Sequence, residues 1–276
     1  MNGVTDILKT ALEKWNDSLG EILFILTRSP EEFKGGGIWS IILTLHNALI
    51  GAGLGLLVLF FLFGVVKNGI TFADIKRPEV FLRLLVQFVL AKAAVTYSME
   101  LMKLLLDVVR DITGTMIRTA WDGSALLAEL PASLDAAIDS LNFMEQTLMW
   151  LVGLLAALVI IVLSFVMLMS VYGCFFKIYM HMAIAPIPIA AFAGEATQRI
   201  GVSFVRSFAA VCAEGALIVL ACIIFSAFAS APPVVPQSAS AMSQVWQYIV
   251  EVIFNILVLV GTIKMANQLS QKMLGI

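Results

Sequence analysis

The residues able to do chemistry in this chain are few, and most of them sit where charge is costly. Arg83, Gln87, Lys92, Thr96, Glu100, Lys103, Asp107 and Asp111 follow one another at intervals of four, five, four, four, three, four and four. On an α-helix that spacing makes one polar stripe. A charge at the centre of a bilayer costs about 2.5–3.5 kcal/mol on insertion scales, and such groups face a bundle interior or water. The stripe therefore reads either as part of a buried ion pair that fixes helix register or as the lining of a hydrated path in an oligomer. Lys92 is its critical member, near the middle of an apolar segment. Glu214, and Glu251 with Asn255, are candidate partners for it, while Glu100 and Lys103 lie nearer an interface and can snorkel. Nothing here is a catalytic constellation. The chain has no P-loop, no HExxH and no nucleophile elbow. Two histidines, His46 and His181, are too few for a metal site, and Cys174, Cys212 and Cys222 lack CxxC spacing and read as small core residues. We expect no catalytic residue, no metal and no cofactor.

The elements that must position these residues are apolar. Hydrophobic residues fill 61% of 276 positions and charged residues 13%. Soluble domains sit nearer 45–50% and about 25%, so this composition predicts an all-α polytopic membrane protein. Five segments, Ile38–Val66, Val80–Leu106, Leu148–Phe176, Val205–Ala229 and Val245–Ala266, reach the roughly 20 residues that cross a hydrocarbon core. Lys67, Lys76, Arg77 and Arg83 place the turn after the first span in the cytoplasm. The amino terminus is then outside and the carboxyl terminus inside. The connection 107–147 lies outside, and Lys177, Arg199, Arg206, Lys264 and Lys272 all lie inside. A sixth crossing over Lys177–Ala193 would put those cations outside. The segment Ile178–Phe192 is instead expected to be re-entrant or interfacial, because Pro186 and Pro188 break a helix.

Outside the spans, residues 1–34 form a region of their own. Val4, Ile7, Leu8, Ala11, Leu12, Trp15, Leu19, Ile22, Leu23 and Leu26 define an amphipathic helix opposite Asp6, Lys9, Glu13, Lys14, Asp17 and Glu21. It is expected to lie in the headgroup plane or to pack on a protein partner. Its start, Met1-Asn2-Gly3 followed by Asp6, does not resemble a cleavable signal sequence. Gly51 and Gly55 make a small-xxx-small pair for helix packing, within the subunit or between subunits. In the outer connection, Pro131 starts a second helix with Leu134, Ala137, Ile138, Leu141 and Met144 on one face. Two amphipathic halves around Trp121-Asp122-Gly123-Ser124 predict an outer helical hairpin. The net charge of −2 offers no basic patch for nucleic acid.

The stretch Tyr172–Ser226 carries a family resemblance. It holds Ala185-Pro186-Ile187-Pro188-Ile189-Ala190, a polar turn with Thr197 and Arg199, an aromatic-Arg helix start at Phe204-Val205-Arg206, and then a long small-residue span. This resembles the TrbL-type polytopic inner-membrane subunit of conjugative type IV secretion machines, in the short form found on mobile elements of Gram-positive bacteria. The five-span plan with a large loop after the second span is similar too. The resemblance implies a subunit of the mating-pair channel with no chemistry of its own, seated in the bacterial cytoplasmic membrane. It implies homo-oligomers, partner ATPases that supply energy, and transient contact with single-stranded DNA and its relaxase. A secondary transporter using intramembrane Lys92, Glu214 and Glu251, or a purely structural scaffold, are the alternatives. A topology reporter fused after Gly194 is expected to score cytoplasmic, and an external signal would require six spans.

Overall fold

A computed structural model describes residues 3–67, 78–120, 130–229 and 240–276. Lys76 and Arg77, the Trp121–Ser124 turn and most of the Pro-rich loop before Gln244 lie outside the described residues. All described elements are helical: α1 (Gly3–Thr27), a short 3-10 turn (Phe33–Gly36), α2 (Gly37–Lys67), α3 (Pro78–Thr96), α4 (Ser98–Ala120), α5 (Ala132–Asp139), α6 (Phe143–Ile184), α7 (Pro186–Ile189), a second 3-10 turn (Ala190–Ala193), α8 (Gln198–Ala229) and α9 (Ala241–Met273). Among the described residues α2, α6, α8 and α9 are each long and apolar enough to cross a membrane. The segment read as the second span is two helices, α3 and α4, meeting at Tyr97 with a 70° bend. Counting that pair as one gives up to five spans, so this is an all-α polytopic membrane protein. The bend means that the polar stripe does not run along one straight helix.

The described chain divides into two compact units. The first holds the chain up to Thr27, Thr113–Tyr172 and Gly215–Ala266. Its core joins Val4 and Leu8 of α1 to Leu134, Ile138 and Leu141 around α5, to Met149 and Ala156 of α6, and to Val245, Tyr248 and Ile249 of α9. Of the expected apolar face of α1, Val4, Leu8, Ala11, Leu12, Trp15, Leu19, Ile22 and Leu26 are buried, while Ile7 and Leu23 are half-buried. This chain itself covers that face in the structure. Burying a side chain of this size stabilises by about 1.5–3 kcal/mol, so α1 has an intramolecular reason to fold. Met144 departs from the predicted face. It belongs to the first turn of α6, not to α5, and is exposed.

The second unit holds Arg28–Ile112, Gly173–Glu214 and Asn267–Ile276. Here α2 buries only a narrow line, Trp39, His46, Gly53, Leu57 and Gly64, spaced by seven, seven, four and seven residues. Against it lies the Pro-broken segment that follows α6. A Cβ on Gly53 would stand 2.7 Å from the Pro186 carbonyl oxygen, and one on Gly64 would stand 2.9 Å from the Gly194 Cα. The segment 186–194 therefore runs beside α2 in the same direction, backbone against backbone. Gly51 and Gly55, the pair singled out from sequence, have nothing among the described residues within 4 Å of such a Cβ. The close approach inside the subunit belongs to Gly53 and Gly64 instead. Gly53→Leu is expected to lower stability by at least the 1–3 kcal/mol of an overpacked contact (about that range for well-packed cores), read as thermal unfolding in detergent. Gly51→Leu should leave the melting curve of the monomer unmoved, and equal losses at both positions would sink the assignment.

Candidate functional site

Proline has no backbone N–H, so Pro186 leaves the carbonyl of Met182, four residues earlier, without its helical donor. His46 supplies the replacement. Its Nδ1 lies 2.7 Å from the Met182 oxygen, and the ring is 1% exposed. A carbonyl only accepts, so the proton is on Nδ1. The other ring nitrogen, Nε2, is 3.1 Å from Ser98 Oγ. Ser98 is fully buried and is the first residue of α4, next to the break at Tyr97. Its hydroxyl also reaches the Val95 carbonyl at 2.8 Å. With the proton on Nδ1, one Ser98 hydroxyl proton faces two acceptors and serves one at a time. His46 thus joins two helix interruptions, one forced by Pro186 and one at the α3–α4 bend.

The far end of the broken segment is held by α3 and by the turn into α8. Gln87 Nε2 donates to the Ala193 carbonyl at 3.2 Å. Thr197 Oγ1 donates to the Ala191 carbonyl at 2.8 Å and lies 3.1 Å from that of Gly194. Arg83 pairs with Glu195 at 2.6 Å, with both side chains largely exposed. These bonds satisfy carbonyls that the breaks leave over, which is the condition for non-helical backbone at membrane depth. The buried Ala185, Ile189, Ala190, Ala191 and Ala193 fill the space between.

The predicted stripe is divided among several tasks. Arg83 and Gln87 meet the broken segment. Lys92 is exposed, and its carbonyl accepts the Thr96 hydroxyl at 3.0 Å. Glu100 is exposed beyond the bend. Lys103 pairs with Glu31 at 2.6 Å and stands 5.0 Å over the Trp39 ring, and Asp107 pairs with Arg110 at 3.3 Å. Glu214, offered as a partner for Lys92 and only 6% exposed, is instead bound by both oxygens to the half-buried Lys177 Nζ at 2.9 and 3.0 Å. Glu251 is half-buried in the first unit, whereas Lys92 belongs to the second. Sequence reasoning passed over His46 because it weighed that residue only as a metal ligand. Pro186 does announce an orphan carbonyl at Met182, but one sequence cannot say which donor reaches it.

His46→Phe is expected to cost about 1–3 kcal/mol, the penalty of a buried acceptor left unpaired, read as thermal unfolding in lipid nanodiscs. Pro186→Ala restores an amide four residues from Met182, so the cost of His46→Phe should shrink in that background. Strict additivity of the two changes would refute the pairing of Pro186 with His46.

A family model described as TrbL/VirB6 plasmid conjugal transfer like protein matches residues 15–186. The match contains His46, Ser98, Met182 and Pro186 and stops before the turn at Thr197. Of the stretch Tyr172–Ser226, only Tyr172–Pro186 falls inside it. No curated protein and no solved structure matched the chain.

Proposed function

This chain belongs to the TrbL/VirB6 plasmid conjugal transfer-like family, and on that premise we propose that it builds the membrane channel or scaffold of a conjugative type IV secretion machine as a homo-oligomer. Membership makes it a membrane subunit of a conjugal transfer system, and four to five apolar helices suit a multi-pass inner-membrane protein. The observation that carries the finer reading is the family match itself, because it takes in all of α2, α3 and α4 together with both helix breaks. In this reading the protein performs no chemistry. It helps pass single-stranded DNA with its relaxase, and partner ATPases supply the energy. The amino terminus lies outside and the carboxyl terminus inside.

Two features support assembly from several copies. The Gly51 and Gly55 face of α2 is open among the described residues, which leaves that small-xxx-small pair for contact between subunits. Exposed Lys92 and Glu100 are the members of the stripe best placed to meet a hydrated lumen. The half-buried Lys177–Glu214 pair favours the alternative of a small-solute carrier, since intramembrane ion pairs are features carriers use.

Native mass spectrometry of the protein in nanodiscs separates these readings. A ring of several subunits is expected, with Gly51→Leu/Gly55→Leu reducing it to monomers and lowering conjugation frequency. A wild-type monomer in both nanodiscs and mild detergent would end the channel reading.

A further inference from the structure

The second half of the bent pair carries an apolar line that the described residues leave exposed. Tyr97, Leu101, Leu104, Val108 and Ile112 are 60%, 44%, 62%, 51% and 52% exposed. They follow one another at four, three, four and four residues, so on α4 they share a face. A second face, Met99, Met102 and Leu106, is buried in the same unit. The charged residues Glu100, Lys103 and Asp107 fall on a third. A helix with one flank on protein, one apolar flank uncovered and a charged flank between them suits a boundary between water, lipid and protein.

The geometry of α3 says where that boundary is. At about 1.5 Å per residue, the 19 residues of α3 measure roughly 28 Å, close to the roughly 30 Å of a hydrocarbon core. Its Phe81, Leu82, Leu85, Val86, Val89 and Leu90 are all exposed and apolar, as a lipid-facing span requires. The bend of 70° comes directly after Thr96, where a span entering at Pro78 has reached the other side. Tyr97 lies at the corner, the position an amphipathic ring prefers, between the exposed apolar residues of α3 and those of α4.

We propose that α4 lies in the plane of the membrane interface, with Tyr97, Leu101, Leu104, Val108 and Ile112 set into lipid. Its partner is the lipid boundary, and α3 alone makes the crossing. The placement sets Lys92 four residues before the bend, within snorkelling reach of the water at that level. Lys103, paired with Glu31 and lying over Trp39, pins the helix at that level on its charged side.

The test uses the full-length protein with Cys174, Cys212 and Cys222 replaced by Ala, in vesicles of phosphatidylethanolamine and phosphatidylglycerol. Leu104→Cys, Val108→Cys and Glu100→Cys each receive a bimane label, and quenching is compared between iodide in water and a nitroxide high on the acyl chain. At Leu104 and Val108 the emission should shift to the blue, with strong nitroxide quenching and little iodide quenching. Glu100 should show the reverse. Iodide access at Leu104 and Val108 equal to that at Glu100 would put α4 in solvent and overturn the proposal. Protection there from both quenchers would mean a protein surface covers the line, including a second copy, and would overturn it equally. Ile112→Cys repeats the reading on the same face, and only variants that elute at the wild-type size are counted.

Discussion

One missing N–H organises the second unit. Pro186 cannot donate to Met182, and in an environment without water that carbonyl must find another donor. The donor is His46, placed on α2 in line with Gly53 and Gly64. Because His46 also meets Ser98, the same ring ties the end of α6 to the corner between α3 and α4. The glycines let the broken segment come close enough for this to happen. Removing the proline would make the histidine unnecessary, and removing the glycines would put it out of reach.

The same logic distributes the polar residues of α3. A stripe that looks uniform in sequence serves separate carbonyls and carboxylates in the structure. Gln87 and Arg83 hold the far end of the broken segment at Ala193 and Glu195. Lys103 acts beyond the bend, on Glu31 and Trp39. Lys177 and Glu214 pair between α6 and α8, with the carboxylate buried and the ammonium half-buried. Such a pair fixes register more than it stabilises, because losing Lys177 would leave the buried Glu214 charge without its partner.

Much of this was legible in the sequence, and what was not has particular causes. The apolar segments, the amphipathic α1 and the break at Pro186 all follow from periodicity and from proline chemistry, which act locally. The α3–α4 bend did not show, since no proline or glycine marks Tyr97 and helical spacing continues through it. The pattern Gly51-Ala52-Gly53-Leu54-Gly55 offered an obvious pair, yet the contact falls on the glycine between them, because burial on α2 follows His46 and Leu57. For Glu214 the sequence supplied the charge and not its partner. Lys177 reads as the cytoplasmic end of a span, while the helix in fact continues to Ile184. Which side chains meet across distant segments is a property of packing, and one chain's spacing does not encode it.

Where α2 meets the segment 186–194, no side chain stands between the two backbones at Gly53 and Gly64. Side chains elsewhere can change rotamer and so absorb a small displacement of their neighbours. Here there is nothing to absorb it. A push on α2 along its axis is handed directly to the turn at Gly194, whereas α3 receives it only through the Gln87 side chain. Mechanically α2 and the segment 186–194 form a stiff strut, and compliance is left to the side-chain contacts around it.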